Sequence, residues 1–268
     1  MTDILIGLGK RLSETWFTAI ALPGLLYTAL AVWAALAAHR HALDPGFVSS
    51  RVQSLTRGGR DLAALTVWAI LLLAAATLAG FLAALVAENL VHRWWIRVAR
   101  PVRRDRRQAA ARERWQDRHE PPPARYLPTR ATAVGEHFRL LGERVDAEYG
   151  LSLVHAWPRL WLLIGAERRE LVVAAQRGYF TDALLVAWGV LLLPWAVWWW
   201  PAALLASAAV LTGAWRARDS SRVLATLMES TLDIHQADLA EALGVELPSG
   251  RITVDLGNQI NDILNKRA

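Results

Sequence analysis

Cysteine is absent from this chain of 268 residues, and lysine occurs only at Lys10 and Lys266. The lack of cysteine excludes a disulfide framework, a thiolate-ligated zinc site and a cysteine nucleophile. Nearly all of the basicity is therefore arginine: 30 Lys and Arg residues stand against 24 Asp and Glu residues, a formal net charge of +6. Charge is also missing from four long apolar stretches, and a soluble core rarely gathers its apolar residues in this way.

The four uncharged stretches predict the fold class. Residues 18–38 and 62–87 contain 21 and 26 residues without a charge, and a helix needs about 20 apolar residues to cross the hydrocarbon layer. Residues 183–200 and 201–215 are shorter and predict a hairpin that turns before Pro201, which suits the first turn of the returning helix. We expect an all-α, polytopic membrane protein with four transmembrane helices, a small helical cytoplasmic subdomain and a helical tail. A re-entrant or soluble buried hairpin is the alternative for the last two stretches.

Arginine sets the expected orientation. In a chain with four spans, the N-terminus, the second loop and the tail share one side, and together they hold 26 of the 30 Lys and Arg residues. The positive-inside rule then places both termini in the cytoplasm, at the plasma membrane. The first apolar stretch is longer than that of a cleaved signal peptide, so we expect an uncleaved signal anchor.

The chain contains 14 tryptophans, and many of them lie at the predicted ends of the spans. Interfacial tryptophan is expected because the ring is apolar whereas its N–H prefers water. The predicted interfacial anchors are Trp16, Trp94, Trp95 and Trp215 on the cytoplasmic side, and Trp198, Trp199 and Trp200 at the outer turn.

Residues 93–118 form an arginine tract with ten Arg and three acidic side chains, a net charge of +7. Basic residues beside a membrane helix attract anionic lipid by about 1 kcal/mol each. We expect contact with anionic lipids of the inner leaflet, and an acidic protein partner is the alternative. Nucleic acid is a third interpretation, but only Trp115 offers a ring for base stacking beyond the membrane edge. The expected contact residues are Arg93, Arg97, Arg100, Arg103, Arg104, Arg106 and Arg107.

Composition predicts a division of the chain into five parts. Residues 1–92 are expected to form an interfacial N-terminal helix and the first two spans. The arginine tract and a proline-rich linker follow in residues 93–131, since three successive prolines stop a helix. Residues 132–182 are the cytoplasmic subdomain, residues 183–215 the hairpin and residues 216–268 the tail.

Three helices are predicted in the cytoplasmic subdomain. An amphipathic helix over residues 132–149 should end at Gly150. A second helix is expected to have Pro158 in its first turn, and either packs on the preceding helix or dips into the inner interface through Trp157 and Trp161. A third helix should run from Ala166 straight into the third span.

The tail has two apolar stripes at helical spacing, and the first should end at Gly244. These stripes need a partner, which is either the other stripe, the cytoplasmic subdomain or another copy of the chain. Their residues are Leu224, Met228, Leu232, His235, Leu239 and Leu243, then Leu256, Ile260, Ile263 and Leu264.

Motifs for phosphate-binding loops, dinucleotide binding, zinc proteases and serine hydrolases do not occur. We expect no catalytic residue, no cofactor and no metal ligand. All four stretches lack ionisable side chains, whereas transporters and ion pathways usually keep such groups inside the membrane. The polar candidates at the membrane edge are Glu88, Asn89 and His92. Glu88 can pair with Arg93 or Arg216 or cap the bundle.

Three segments carry a resemblance to a known group of proteins. They are YGLSLVHAWPRLWLL (149–163), AWGVLLLPWAVWWWPAAL (187–204) and LMESTLDIHQADLAEALGV (227–245). With the arginine-for-lysine bias and the richness in alanine, the chain resembles four-helix integral membrane proteins of actinobacteria. The resemblance implies a membrane location and a bacterial source, and no activity.

Three functional hypotheses follow. The first is a non-enzymatic scaffold or signalling component that anchors a cytoplasmic protein partner at the inner membrane. The second is a homo-oligomeric pore or membrane-disrupting effector, because the apolar helices can pack on themselves. The third is a transporter or membrane enzyme with a site near Glu88, Asn89 and His92.

Overall fold

The computed structural model describes residues 22–56, 62–97 and 124–265, and five residues between 105 and 113. Throughout these residues the secondary structure is helical, without strands, which confirms the all-α class. The predicted N-terminal helix of residues 1–15 lies outside the described residues. So do Trp16, Arg100, Arg103, Arg104 and Arg107.

Among the described residues, two helices are long and apolar enough to cross a membrane, Thr66–Arg97 and Ala166–Val197. The fourth uncharged stretch is the beginning of a helix of 42 residues, and the described part of the first stretch contains the apolar helix Leu22–Ala37. Four spans therefore remain a prediction. The α-helices are α1 Leu22–Ala37, α2 Pro45–Thr56, α3 Leu62–Leu85, α4 Arg93–Arg97, α5 Ala133–Tyr149, α6 Leu153–Leu163, α7 Ala166–Leu192, α8 Pro201–Ala242 and α9 Val254–Leu264. A π-helical segment, Val86–His92, joins α3 to α4, and 3-10 turns occur at Ala124–Tyr126 and Leu193–Val197.

The chain divides into two compact units. Unit 1 comprises Met1–Val91 and Ala183–Ala214, and unit 2 comprises His92–Asp182 and Trp215–Ala268. Each of the helices α7 and α8 contributes residues to both units.

In unit 1, α1 packs against α3 and against the hairpin. A Cβ atom on Gly24 would overlap the carbonyl oxygen of Ala76, so only glycine permits this approach of α1 to α3. The Tyr27 hydroxyl donates to the Leu191 carbonyl at 3.1 Å and accepts from Trp195 Nε1 at 2.9 Å. The hairpin turns where the sequence predicts, because α8 begins at Pro201.

The ends of α5 in unit 2 confirm the sequence prediction. The Thr132 hydroxyl caps the helix by accepting from the Gly135 amide at 3.0 Å, and Gly150 ends it with a φ of 64°. Such a left-handed residue is common after a helix, and glycine adopts it without a steric cost. The prediction for Ala166 is also confirmed, since α7 continues from there to Leu192.

The predicted position of Pro158 is wrong. Helix α6 begins at Leu153, so the proline lies inside the helix and not in its first turn. A proline there removes the hydrogen bond to the carbonyl of the residue four positions earlier, which is Val154. Val154 is 79% exposed, so this loss falls on the outer side of α6 rather than in the core.

One hydrophobic core joins the tail to residues 132–182. Of the three partners left open for the tail stripes, the structure brings together two, the other stripe and the subdomain, and Leu232 and Leu239 are fully buried in this shared core. Trp157 and Trp161 also pack against this core, which supports the alternative in which α6 packs on the preceding helix. The core residues on the subdomain side are Leu141, Val145, Tyr149, Leu151, Ala156, Leu160 and Ile164.

Tyr149 makes the stability of unit 2 depend on pH. Burial raises the pKa of Tyr149, and Asp233, which accepts its hydrogen bond at 2.8 Å, raises it further. The unfolded tyrosine ionises near pH 10, so the folded state keeps its full advantage below that pH and loses stability as the pH rises above it. We expect the thermal midpoint to fall between pH 9 and 11 by less in Tyr149→Phe than in the wild type. Parallel curves for the two proteins would contradict this assignment.

Candidate functional site

Polar side chains form three pairs in unit 2, on α5, α7, α8 and the end of the π-helical segment. Each pair has at least one buried member, and neighbouring members lie a few positions apart on α7 and on α8. We call this group the polar cluster, and it consists of His92, His137, Tyr179, Asp182, Arg216 and Ser221.

The first pair is His92 with Tyr179. The His92 Nδ1 atom lies 2.7 Å from the Tyr179 hydroxyl, which is buried among aromatic rings. Phe138 meets the Tyr179 ring edge-on with 5.7 Å between centroids, and Trp95 lies 6.2 Å from it. The Phe138 pair has the edge-on geometry that aromatic rings prefer and the Trp95 pair is tilted, and together these rings fill the space where α4, α5 and α7 meet.

The second pair is Asp182 with Arg216. Asp182 is 4% exposed, and its Oδ1 atom lies 3.0 Å from Arg216 Nε. The N–H of that nitrogen does not point at the oxygen, so Oδ1 has no hydrogen bond within the described residues. The attraction is therefore mainly that of two opposite charges, one of them removed from water.

The third pair is His137 with Ser221, whose Nδ1 and Oγ atoms are 2.9 Å apart. The Ser221 hydroxyl also lies within hydrogen-bond distance of the Arg218 carbonyl of its own helix, at 3.0 Å. Ser221 is completely buried. The pair thus joins α5 to α8.

Of the three candidates at the membrane edge, only His92 belongs to the polar cluster. Glu88 and Asn89 are exposed, and the Asn89 amide donates to the Leu85 carbonyl of its own helix at 3.2 Å. Arg216 contacts Asp182, and the pairing of Glu88 with Arg93 or Arg216 stays a prediction.

Sequence reasoning missed Asp182 and Tyr179, although a signal for Asp182 was present. Asp182 directly precedes the third uncharged stretch, and Arg216 directly follows the fourth. Opposite charges at the open end of a helical hairpin are placed to meet. Tyr179 carries no such signal, because its partner His92 lies 87 residues away in the chain.

The tryptophans predicted as interfacial anchors differ in their exposure. Trp94, Trp198, Trp200 and Trp215 are exposed, as an anchor requires. Trp95 and Trp199 are buried, because their rings pack inside unit 2 and unit 1 respectively, and for these two the prediction is wrong. Arg93, Arg97 and Arg106 are exposed, and their contact with anionic lipid remains a prediction.

Within the described part of the chain, no three His, Asp or Glu side chains come together as a metal site requires. No family model, curated protein or solved structure matches this chain. The resemblance to actinobacterial membrane proteins therefore stays a prediction.

Proposed function

We propose that this chain is a multi-pass membrane protein, with both termini in the cytoplasm, that acts as a non-enzymatic scaffold for a cytoplasmic protein. The membrane part of the proposal is supported by the exposed surface of α3. In the most apolar window of the helix Thr66–Arg97, only 22% is buried, and Ile70, Leu78 and Phe81 are more than half exposed. Exposed apolar surface of this extent suits lipid and not water.

The scaffold part of the proposal rests on one face of α6. Val154, Pro158 and Leu162 follow one another every four residues and are exposed, and we call them the α6 face. Val154 and Leu162 are 79% and 77% exposed, whereas Ala156 and Leu160 on the opposite side are completely buried. The α6 face is thus an apolar stripe that the described residues leave uncovered.

The position of the α6 face in the chain favours a protein partner over lipid. Helix α7 starts at Ala166, directly after α6, and the uncharged stretch begins only after Asp182. At 1.5 Å per residue, the intervening part of α7 is roughly 24 Å long, whereas an interfacial helix buries its apolar face only about 5–10 Å deep in the head-group region.

Photocrosslinking tests this proposal. A photoreactive residue at Val154 should crosslink to a cytoplasmic protein in cells, and one at the exposed Ser230 on α8 should not. Leu162→Glu should reduce the Val154 crosslink about 30-fold, because a central apolar contact in an interface contributes about 2 kcal/mol. An unchanged thermal midpoint would show that Leu162→Glu still folds. Crosslinks from Val154 to lipid alone, or to a second copy of this chain, would refute the scaffold.

A further inference from the structure

Unit 1 contains an apolar cleft of about 430 Å³ beside α1. This volume falls within the range of roughly 300–1,000 Å³ that is common for small-ligand sites. Four of its residues, spaced three or four apart, lie along one face of α1 and extend over roughly 10 Å of that helix. The cleft is lined by Leu26, Ala29, Leu30, Trp33, Leu43 and Trp199, among others.

The two tryptophans present only carbon to the cleft. Trp33 Nε1 and Trp199 Nε1 both donate to the carbonyl of Ala42, at 3.1 and 2.9 Å. Their N–H groups are therefore already bound to the protein, and no other lining side chain carries a polar group. A polar ligand would lose its hydrogen bonds with water and gain none here, so the cleft suits a hydrocarbon chain.

A basic segment lies at one end of the cleft. His39, Arg40 and His41 directly precede Ala42 in the turn after α1. The His39 Nε2 atom lies 2.7 Å from the Val197 carbonyl, which ties this turn to the end of the hairpin. Arg40 is exposed and lies two positions before Ala42, a residue that lines the cleft, so its positive charge is close to the cleft in the chain.

We propose that the cleft binds one acyl chain of a phospholipid whose anionic head group contacts Arg40. This inference rests on the proposed membrane location. The exposed Trp198 and Trp200 adjoin Trp199 at the hairpin turn, and exposed tryptophans of this kind lie at the head-group level. The α1 residues that line the cleft then extend from the head-group level into the acyl-chain region, and Arg40 lies at the level of the phosphates.

The test uses the full chain in nanodiscs that contain phosphatidylglycerol with a photoreactive group on its acyl chain, and labelled residues are mapped by mass spectrometry. Ala29→Trp should fill the cleft and reduce labelling of Leu30 and Leu43 at least tenfold. Ala35→Trp is the matched control, because Ala35 is exposed on α1 but does not line the cleft. It should leave the labelling unchanged.

The head group is tested by competition between phosphatidylglycerol and phosphatidylcholine. Arg40→Gln should reduce the preference for the anionic lipid about fivefold, since one basic residue near the surface contributes about that factor. Equal labelling in Ala29→Trp and Ala35→Trp would overturn the inference. Labelling of the exposed Leu72 on α3 separates the two failures. If Leu72 is labelled and the cleft is not, only this inference fails, whereas an unlabelled Leu72 refutes the membrane location.

Discussion

Arg216→Met will destabilise unit 2 by about 3 kcal/mol, although Arg216 is itself more than half exposed. The substitution leaves the charge of Asp182 buried without its counter-ion, and breaking a buried pair in this way costs about 3–5 kcal/mol. The lower end of that range applies because water reaches the arginine side. The measurement is amide hydrogen exchange of the full chain in mild detergent, which gives the opening free energy of α8 around Ser221.

A double-mutant cycle separates the charge effect from lost packing. Asp182→Asn removes the buried charge, so Arg216→Met should cost less than 1 kcal/mol when it is added to Asp182→Asn. Arg222→Met is the control for removing an exposed arginine from the same helix. If Arg216→Met and Arg222→Met lower the opening free energy of α8 equally, the charge of Asp182 is not stabilised by Arg216.

Replacing glycine by alanine should have opposite effects on stability at two sites in unit 2, because only one of the two sites lacks space for a Cβ atom. A Cβ atom on Gly257 would overlap the carbonyl oxygen of Tyr149, so α9 can approach the end of α5 only with glycine there. Gly257→Ala should therefore destabilise the contact of α9 with α5 by about 1–3 kcal/mol. At Gly142, in the interior of α5, a Cβ atom would meet nothing within 4 Å. Gly142→Ala should stabilise α5 by about 0.5–1 kcal/mol, because glycine is a poor helix former.

The difference between the two alanine variants is best read from amide exchange in α9 and α5. Gly257→Ala should speed exchange of the α9 amides most, and Gly142→Ala should slow exchange across α5. If both variants were more stable than the wild type, the result would contradict the close contact between α9 and α5 at Gly257.

The sequence predicted those elements of the fold whose signals are local. Thr132 and Gly150 are residue types that cap a helix at either end, and the apolar spacing between them has the helical period. The Pro158 prediction failed because it gave more weight to proline than to Ser152, which is itself a residue type favoured before a helix begins. Helix α6 begins directly after Ser152, and packing of its inner side tolerates the interior proline.

The parts that could not be predicted depend on contacts between distant segments. Amphipathic spacing shows that Leu232 must be covered, but it does not show by what, and only the fold shows that Leu232 packs in one core with residues of α5 and α6. Similarly, a tryptophan near the end of an apolar stretch suits both a lipid interface and a protein interior. Trp198 and Trp199 are neighbours in the chain, yet the first is 57% exposed and the second is 5% exposed.

The π-helical segment Val86–His92 corrects a drift in the direction of buried side chains. Ala83, Ala87, Val91 and Trp95 are all buried and follow one another every four residues. An α-helix turns by 100° per residue, so each step of four overshoots a full turn by about 40°, and three steps drift by about 120°. A π-helical turn closes five residues apart and takes up this excess. Residues 86–92 therefore set the direction of the buried side chains. Because a π-helical turn holds more residues than an α-helical turn, the buried side of the helix continues from Ala83 to Trp95.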